Sequence, residues 1–394
     1  MIQIVKQLSE NIHPDLINIR RHIHAHPELS FEEYNTVDFV ASELDKLNIP
    51  YTKGVAKTGL VALIEGKLPE KKCIALRADM DALPLTEAND IPYKSQNIGV
   101  MHACGHDVHT TCLLGAARIL MAQKDNFEGT IKLIFQPGEE QSPGGASLMI
   151  AAGALENPKP EAIFGLHVYP QLPAGMVGFR AGQYMASADE IYITVKGKGG
   201  HAALPQQTVD PIAVTAMIVT GLQQLVSRKS NPLSPTVLTF GKIAGGATTN
   251  VIPDTVELMG TLRTFDETWR KEAIEHIKTM TSHIAEAYGA EAIIDIPEGY
   301  PSLFNHPATT EMARLFAEEY LGKENVQELE MRMGAEDFSF YTLQSKGCFF
   351  RIGTSRDNKE FIAPVHNAHF NIDEDALKTG AGTMAYIALN MMND

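Results

Sequence analysis

Apolar residues recur through the first fifty positions at mixed three- and four-residue spacings. That period predicts helices over 8–21 and 36–47. Solid apolar runs of strand length follow at 59–64, 73–77, 131–135 and 162–166, and an Ala- and Leu-rich helix is expected over 108–123. Strands alternating with helices imply a largely parallel, helix-covered sheet, an α/β fold. In such sheets ligands gather beyond the carboxyl ends of the strands. Asp79, Glu139, Glu140 and His167 each stand just after one of the apolar runs.

The pattern changes near residue 190. Ile191, Ile193 and Val195 alternate with Tyr192, Thr194 and Lys196, which predicts a half-buried strand, and Gly197-Lys198-Gly199-Gly200 breaks it. A helix over 211–227, strands at 236–240 and 255–262, a helix over 267–288 and a strand at 291–296 follow. The order βαββαβ is the ferredoxin-like pattern. We read residues 184–296 as a domain inserted into a discontinuous first domain, 1–183 with 297–394. The α/β character then returns with a helix over 308–321, a strand at 348–352 and a helix over 375–391.

Length supports this division, because 394 residues exceed what one core usually serves. No apolar run of about 18 residues occurs, so no membrane-spanning helix is expected. The N-terminus lacks a signal-peptide core, and the four cysteines show no framework spacing, so a reduced, cytoplasmic setting is expected. The net charge of −15 argues against nucleic-acid or anionic-membrane partners.

The chemistry concentrates in Met101-His102-Ala103-Cys104-Gly105-His106-Asp107. In an extended backbone, residues two apart point the same way, so Cys104 and His106 can grip one metal centre. The adjacent carboxylates Glu139 and Glu140 suit a division of labour. One holds the ion and the other serves as general base beside an activated water. His167 is a third imidazole or thiolate donor at a strand end. His366 is a fourth, although His369 competes with it. Asp79 suits a carboxylate that orients a ligand, whereas Asp81 reads as a turn or cap residue. The tract His22, His24, His26 has no acidic or thiolate neighbour in sequence and reads as structural. In the inserted domain, His201, Asn250 and Arg263 are either substrate contacts or solvated polar residues. Arg263 suits a carboxylate by bidentate bonding.

Taken in order along the chain, several segments resemble the M20 metallopeptidase family, specifically its amidohydrolase branch. They are His26-Pro27-Glu28-Leu29, the stretch Arg77 to Pro84, Met101 to His109, Phe135 to Glu140, Gly165-Leu166-His167, Gly197 to Ala202, Gly334 to Ser339, and His366-Asn367. That branch holds hippurate hydrolases, N-acyl-amino-acid aminoacylases, N-acetyldiaminopimelate deacetylases and auxin-conjugate hydrolases. The resemblance implies a two-metal site of Mn, Zn or Ni. Its ligands would be Cys104 (bridging), His106, Glu140, His167 and His366, with Glu139 as general base and Asp79 in support. It implies that the inserted domain is a lid used in dimerisation, with His201 reaching the partner's site. Arg77 stands where the broader family carries a ligating His. The activity implied is amide hydrolysis of small N-acyl amino acids. A dipeptidase or carboxypeptidase with the same centre, and a silent binding relative, are the competing readings.

Overall fold

A computed structural model describes residues 1–356 and 363–393. The chain divides into two compact units. The first comprises residues 1–184, 304–331 and the described residues from 337 on; the second comprises 185–303 and 332–336.

The first unit is built on an eight-stranded sheet. Its spatial order is Tyr51–Val55, Gly59–Glu65, Thr130–Gln136, Cys73–Asp79, Ala162–Pro173, Lys346–Ser355, Val177–Phe179 and Val326–Glu328. The four middle strands, from Thr130–Gln136 to Lys346–Ser355, run parallel to one another. Every residue of Cys73–Asp79 and Thr130–Gln136 is buried, as expected of parallel strands covered on both faces. The helices Ile2–Ala25, His106–Ala122 and Asp375–Asn393 pack on one another, and the last two also pack on the sheet. Three short outer strands, Tyr51–Val55, Val177–Phe179 and Val326–Glu328, were not visible as apolar runs. Two of them are mostly exposed and so carry little hydrophobic signal. The strand expected to stop before His167 continues to Pro173, because its neighbour Lys346–Ser355 pairs with it as far as Ser355–Pro173.

The second unit has a four-stranded antiparallel sheet in the order Thr236–Ala244, Thr255–Thr264, Asp189–Lys196, Glu291–Asp295. With the helices Pro211–Gln224 and Glu267–Ala287 this is the ferredoxin-like arrangement. Asp210 and Asp266 start these helices by accepting the first free backbone N–H groups, at 2.9 Å from Ile212 N and 2.8 Å from Thr268 N. The alternation read from sequence puts Ile191, Ile193 and Val195 into a core with Val214, Ile218, Leu222, Ala273 and Ile277.

The return to the first unit falls later than residue 297. Gly299 N donates to Asp189 Oδ1, Arg270 Nη2 donates to Gly299 O, and Ala188 bridges Tyr300. These bonds hold 297–303 in the second unit. A short segment, 332–336, joins it too, since Ala186 N donates to the carbonyls of Arg332 and Gly334.

Candidate metal centre

Cys104 and His106 are brought together by a turn and not by an extended strand. Gly105 between them has φ +90° and precedes the helix His106–Ala122. A Cβ at Gly105 would lie 2.6 Å from Val168 Cγ2. Only glycine therefore allows the Cys104–His106 turn to lie against the strand that carries His167. Cys104 Sγ sits 3.4 Å from His167 Nε2.

The ligand-capable atoms form overlapping groups in which all lie within 4.8 Å of one another: Cys104 with His106 and His167, Cys104 with Glu140 and His366, and His106 with Glu139 and Glu140. His366 reaches the group from a backbone at φ +63°, tied by its N–H to Ala103 O at 2.7 Å. Its Nε2 is 3.2 Å from Glu140 Oε1. The choice between His366 and His369 is thus made by position, since His369 joins no such group among the described residues. His24 is buried between Asp107 and Glu87, and His22 stacks on Phe39, so the N-terminal histidines lie outside the ligand groups.

The orienting bonds leave one nitrogen of each key ring facing the group. His167 Nδ1 donates to Val168 O at 2.9 Å, and His106 Nδ1 donates to Asp81 Oδ1 at 3.1 Å. His106 Nε2 is buried and has no hydrogen-bond partner. An unpaired buried imidazole nitrogen beside a thiol and carboxylates is the donor chemistry of a transition-metal site, and the residues fit one. Asp81, read from sequence as a turn or cap residue, is instead the carboxylate behind His106. Its Oδ2 accepts from Ser30 Oγ (2.6 Å) and from Glu140 N (3.0 Å), linking two candidate ligands. Its alternate spacing from Asp79 on one chain segment was the available signal.

Glu139 is buried and Glu140 partly exposed. Asp337 N donates to Glu139 Oε1 at 3.3 Å. The Asp337 carboxylate is fixed in turn by Arg77 Nη2 (2.8 Å), Gln136 Nε2 and Ala146 N. Arg77, wholly buried, also donates to Asp79 Oδ2 at 2.7 Å and to Gln136 Oε1 at 2.8 Å. Asp337 lies in the stretch Gly334 to Ser339 that carries the resemblance, but its role is not assigned from sequence, because the groups it joins, Glu139, Arg77 and Gln136, are far away in the chain. The turn before Glu139 is held by Gly138, at φ +57°, where a Cβ would meet the Phe31 ring at 2.4 Å.

Electrostatics match a cation. Burial pushes the Cys104 thiol well up, and the Glu140 and Glu139 carboxylates push it further. Burial alone would lower the His106 imidazole, yet Asp79, Asp81 and Glu140 raise it to about 10. Both groups hold protons that a bound cation would displace. His167 runs the other way. Burial, then the charge of Arg351 beside it in the sheet, holds it well below the usual range, so its lone pair is available.

His201, Asn250 and Arg263 lie in the second unit. His201 is exposed in the two-residue strand Gly200–His201, which pairs with Val251–Ile252, and Ala202 N donates to Asn250 O, so His201 and Asn250 adjoin. Arg263 is separate from them. It lies near the other end of the strand Thr255–Thr264, half-buried, with Nε donating to Thr261 Oγ1 at 3.1 Å.

Residues 75–390 match peptidase family M20/M25/M40. A thermostable carboxypeptidase of Saccharolobus solfataricus is 40% identical over 397 residues, covering 100% of this chain and 99% of that one. An N-acetyl-L-cysteine deacetylase of Bacillus subtilis is 41% identical over 362 residues, covering 92% and 84%. A solved Bacillus subtilis structure described as a dinuclear metal-binding peptidase of the M20 family superposes with a TM-score of 0.82 at 35% identity, covering 98% of this chain and 99% of that one. The match extends across both units and through each segment that supplies a ligand-capable side chain: the chain is a hydrolase of peptidase family M20/M25/M40, in its amidohydrolase branch.

Proposed function

We propose that this protein hydrolyses the amide bond of N-acyl amino acids at a two-ion centre of Mn, Zn or Ni. The ions would be held by Cys104, His106, Glu140, His167 and His366. The observation that carries this reading is the pair of ligand groups that share Cys104, with the buried Glu139 beside them. When bound, divalent ions polarise a carbonyl and lower the pKa of water towards about 7.

The chain's own residues do the rest. Glu139, steadied at Oε1 by the Asp337 N–H, accepts a proton from the attacking water and passes it to the departing amine nitrogen. Asp81 and the Val168 carbonyl hold His106 and His167 in their ligating orientation. Arg77, threaded between Asp79, Gln136 and Asp337, fills with a fixed cation the position where the wider family carries a ligating His. In the second unit, Asn250 and Arg263 are candidates for holding the amino acid's carboxylate. The exposed His201 is a candidate donor to the developing oxyanion of a second copy's site. A homodimer formed through this unit is supported by its outer strand Thr236–Ala244, which lies at the edge of the sheet. Among the described residues no helix is long and apolar enough to cross a membrane. Four free, buried cysteines suit a reducing compartment such as the cytoplasm.

A second reading, carboxypeptidase action at the same centre, is favoured by the similarity to the thermostable carboxypeptidase. One experiment separates the two. Metal-stripped protein is reloaded with Mn, Zn or Ni and given N-acetyl and N-benzoyl amino acids beside dipeptides and N-blocked peptides. Turnover of the acyl amino acids above the peptides is expected. Preference for peptides would favour the second reading, and no turnover with any ion would sink both.

A further inference from the structure

His109 is wholly buried one turn after His106 and takes no part in the mechanism above. Both of its nitrogens are occupied. Val168 N is 2.9 Å from His109 Nε2, and a backbone N–H can only donate, so Nε2 carries a lone pair. The ring proton is therefore on Nδ1, 2.6 Å from Asp79 Oδ1. This tautomer excludes His109 from ligation, although Asp79, His106 and His109 lie close enough together to suggest a further ligand group. Val168, held by His109 at its N–H, also carries the carbonyl that receives His167 Nδ1, in the next peptide unit along the chain. A continuous chain thus runs from Asp79 through the His109 ring and Val168 to His167, whose ring centroid is 4.5 Å from that of His109. The Asp79 end is anchored twice more, by Arg77 Nη1 and by Thr110 Oγ1, which donates to the Asp79 carbonyl at 2.7 Å.

We infer that His109 is a positioning residue for the metal centre: by accepting the Val168 N–H it holds the residue whose carbonyl orients His167 Nε2 towards Cys104. This rests on the metal-centre reading above. It assigns Asp79 a specific task, fixing the His109 tautomer.

The test uses three variants and cobalt(II) as the probe. In His109→Gln the side-chain oxygen can take the place of Nε2 and keep the Val168 bond. His109→Asn keeps a donor towards Asp79 but leaves the Val168 N–H unpaired, and His109→Leu removes both bonds. Cobalt(II) affinity is measured by chelator competition and the thiolate-to-cobalt absorption by spectroscopy. Loss of such an outer partner typically weakens metal binding about 10–100-fold. That loss and an altered band are expected for Asn and Leu, with Gln close to the parent protein. Equal affinities in all three variants, or a Gln variant as weak as Asn, would overturn the role. Nitrogen-15 shifts of histidine-labelled parent protein give a check that needs no variant. A His109 ring protonated on Nε2 would also overturn it. Failure of the underlying reading looks different: the parent protein would bind no cobalt(II), or Cys104→Ser would bind it unchanged, and both ideas would then fall together.

Discussion

Replacing Gly105 by Ala perturbs the centre without removing any donor. Two penalties can be worked out from the structure. The backbone stays at φ +90°, where a Cβ costs about 1–2 kcal/mol. The new methyl would also lie 2.6 Å from Val168 Cγ2 and 2.9 Å from Cγ1, well inside van der Waals contact. Val168 is only 1% exposed and cannot swing away, so overpacking adds about 1–3 kcal/mol. The expected loss is therefore about 2–5 kcal/mol, measured by urea unfolding of metal-free protein. Because Val168 follows His167, relief of the clash would also shift a ligand, and weaker metal binding should accompany the lost stability. A double-mutant cycle with Val168→Ala apportions the effect. The steric part should vanish in the double variant, giving a coupling of about 1–3 kcal/mol, while the backbone part remains. A Gly105→Ala protein within about 0.5 kcal/mol of the parent, the range of ordinary surface changes, or a cycle with no coupling, would refute the argument that this turn needs glycine.

Other tests follow from single groups. Glu139→Gln should keep its metal and lose at least about two decades of kcat, as removal of a general base does; metal loss in this variant with retention in Glu140→Gln would reverse the two roles. Cys104→Ser should bind metal more weakly, read by metal content after dialysis, since thiolate is the softest donor present. The Glu33 carboxyl, raised to about 7 by burial and then by Asp81, accepts from Gly138 N and Phe31 N beneath the Glu139 turn. Its folded pKa lies above the unfolded one, so between about pH 4.5 and pH 7 the folded state holds a proton the unfolded state lacks, and stability falls as pH rises through that window. The effect across that window is on the order of 3 kcal/mol; Glu33→Gln should flatten this slope in urea titrations, and an unchanged slope would place its origin elsewhere. Finally, His201→Ala should be nearly inactive yet bind metal, and co-expression with Glu139→Gln should restore activity in mixed dimers. A fully active monomer, or no rescue in verified mixed dimers, would rule out action across subunits.

Much of this was legible because it is local. Apolar runs marked the four middle strands of the large sheet, since strands buried on both faces must be apolar throughout. Alternation at Ile191, Ile193 and Val195 marked the half-buried sheet of the second unit. Thiol, imidazole and carboxylate side chains at strand ends marked the donors, because ligand chemistry is written in residue type. What sequence left open depends on residues distant in the chain. Asp81 and a cap residue look alike until its carboxylate is found behind His106. Asp337 is 198 positions from the Glu139 that its N–H holds. His109, to which the sequence alone assigns no role, has its place fixed when Val168 N occupies its second nitrogen. The choice of His366 over His369 depended on where one loop backbone meets Ala103. Tertiary packing decides these cases because a buried polar atom must find a partner, and which partner is within reach depends on the assembled fold rather than on neighbours in the chain.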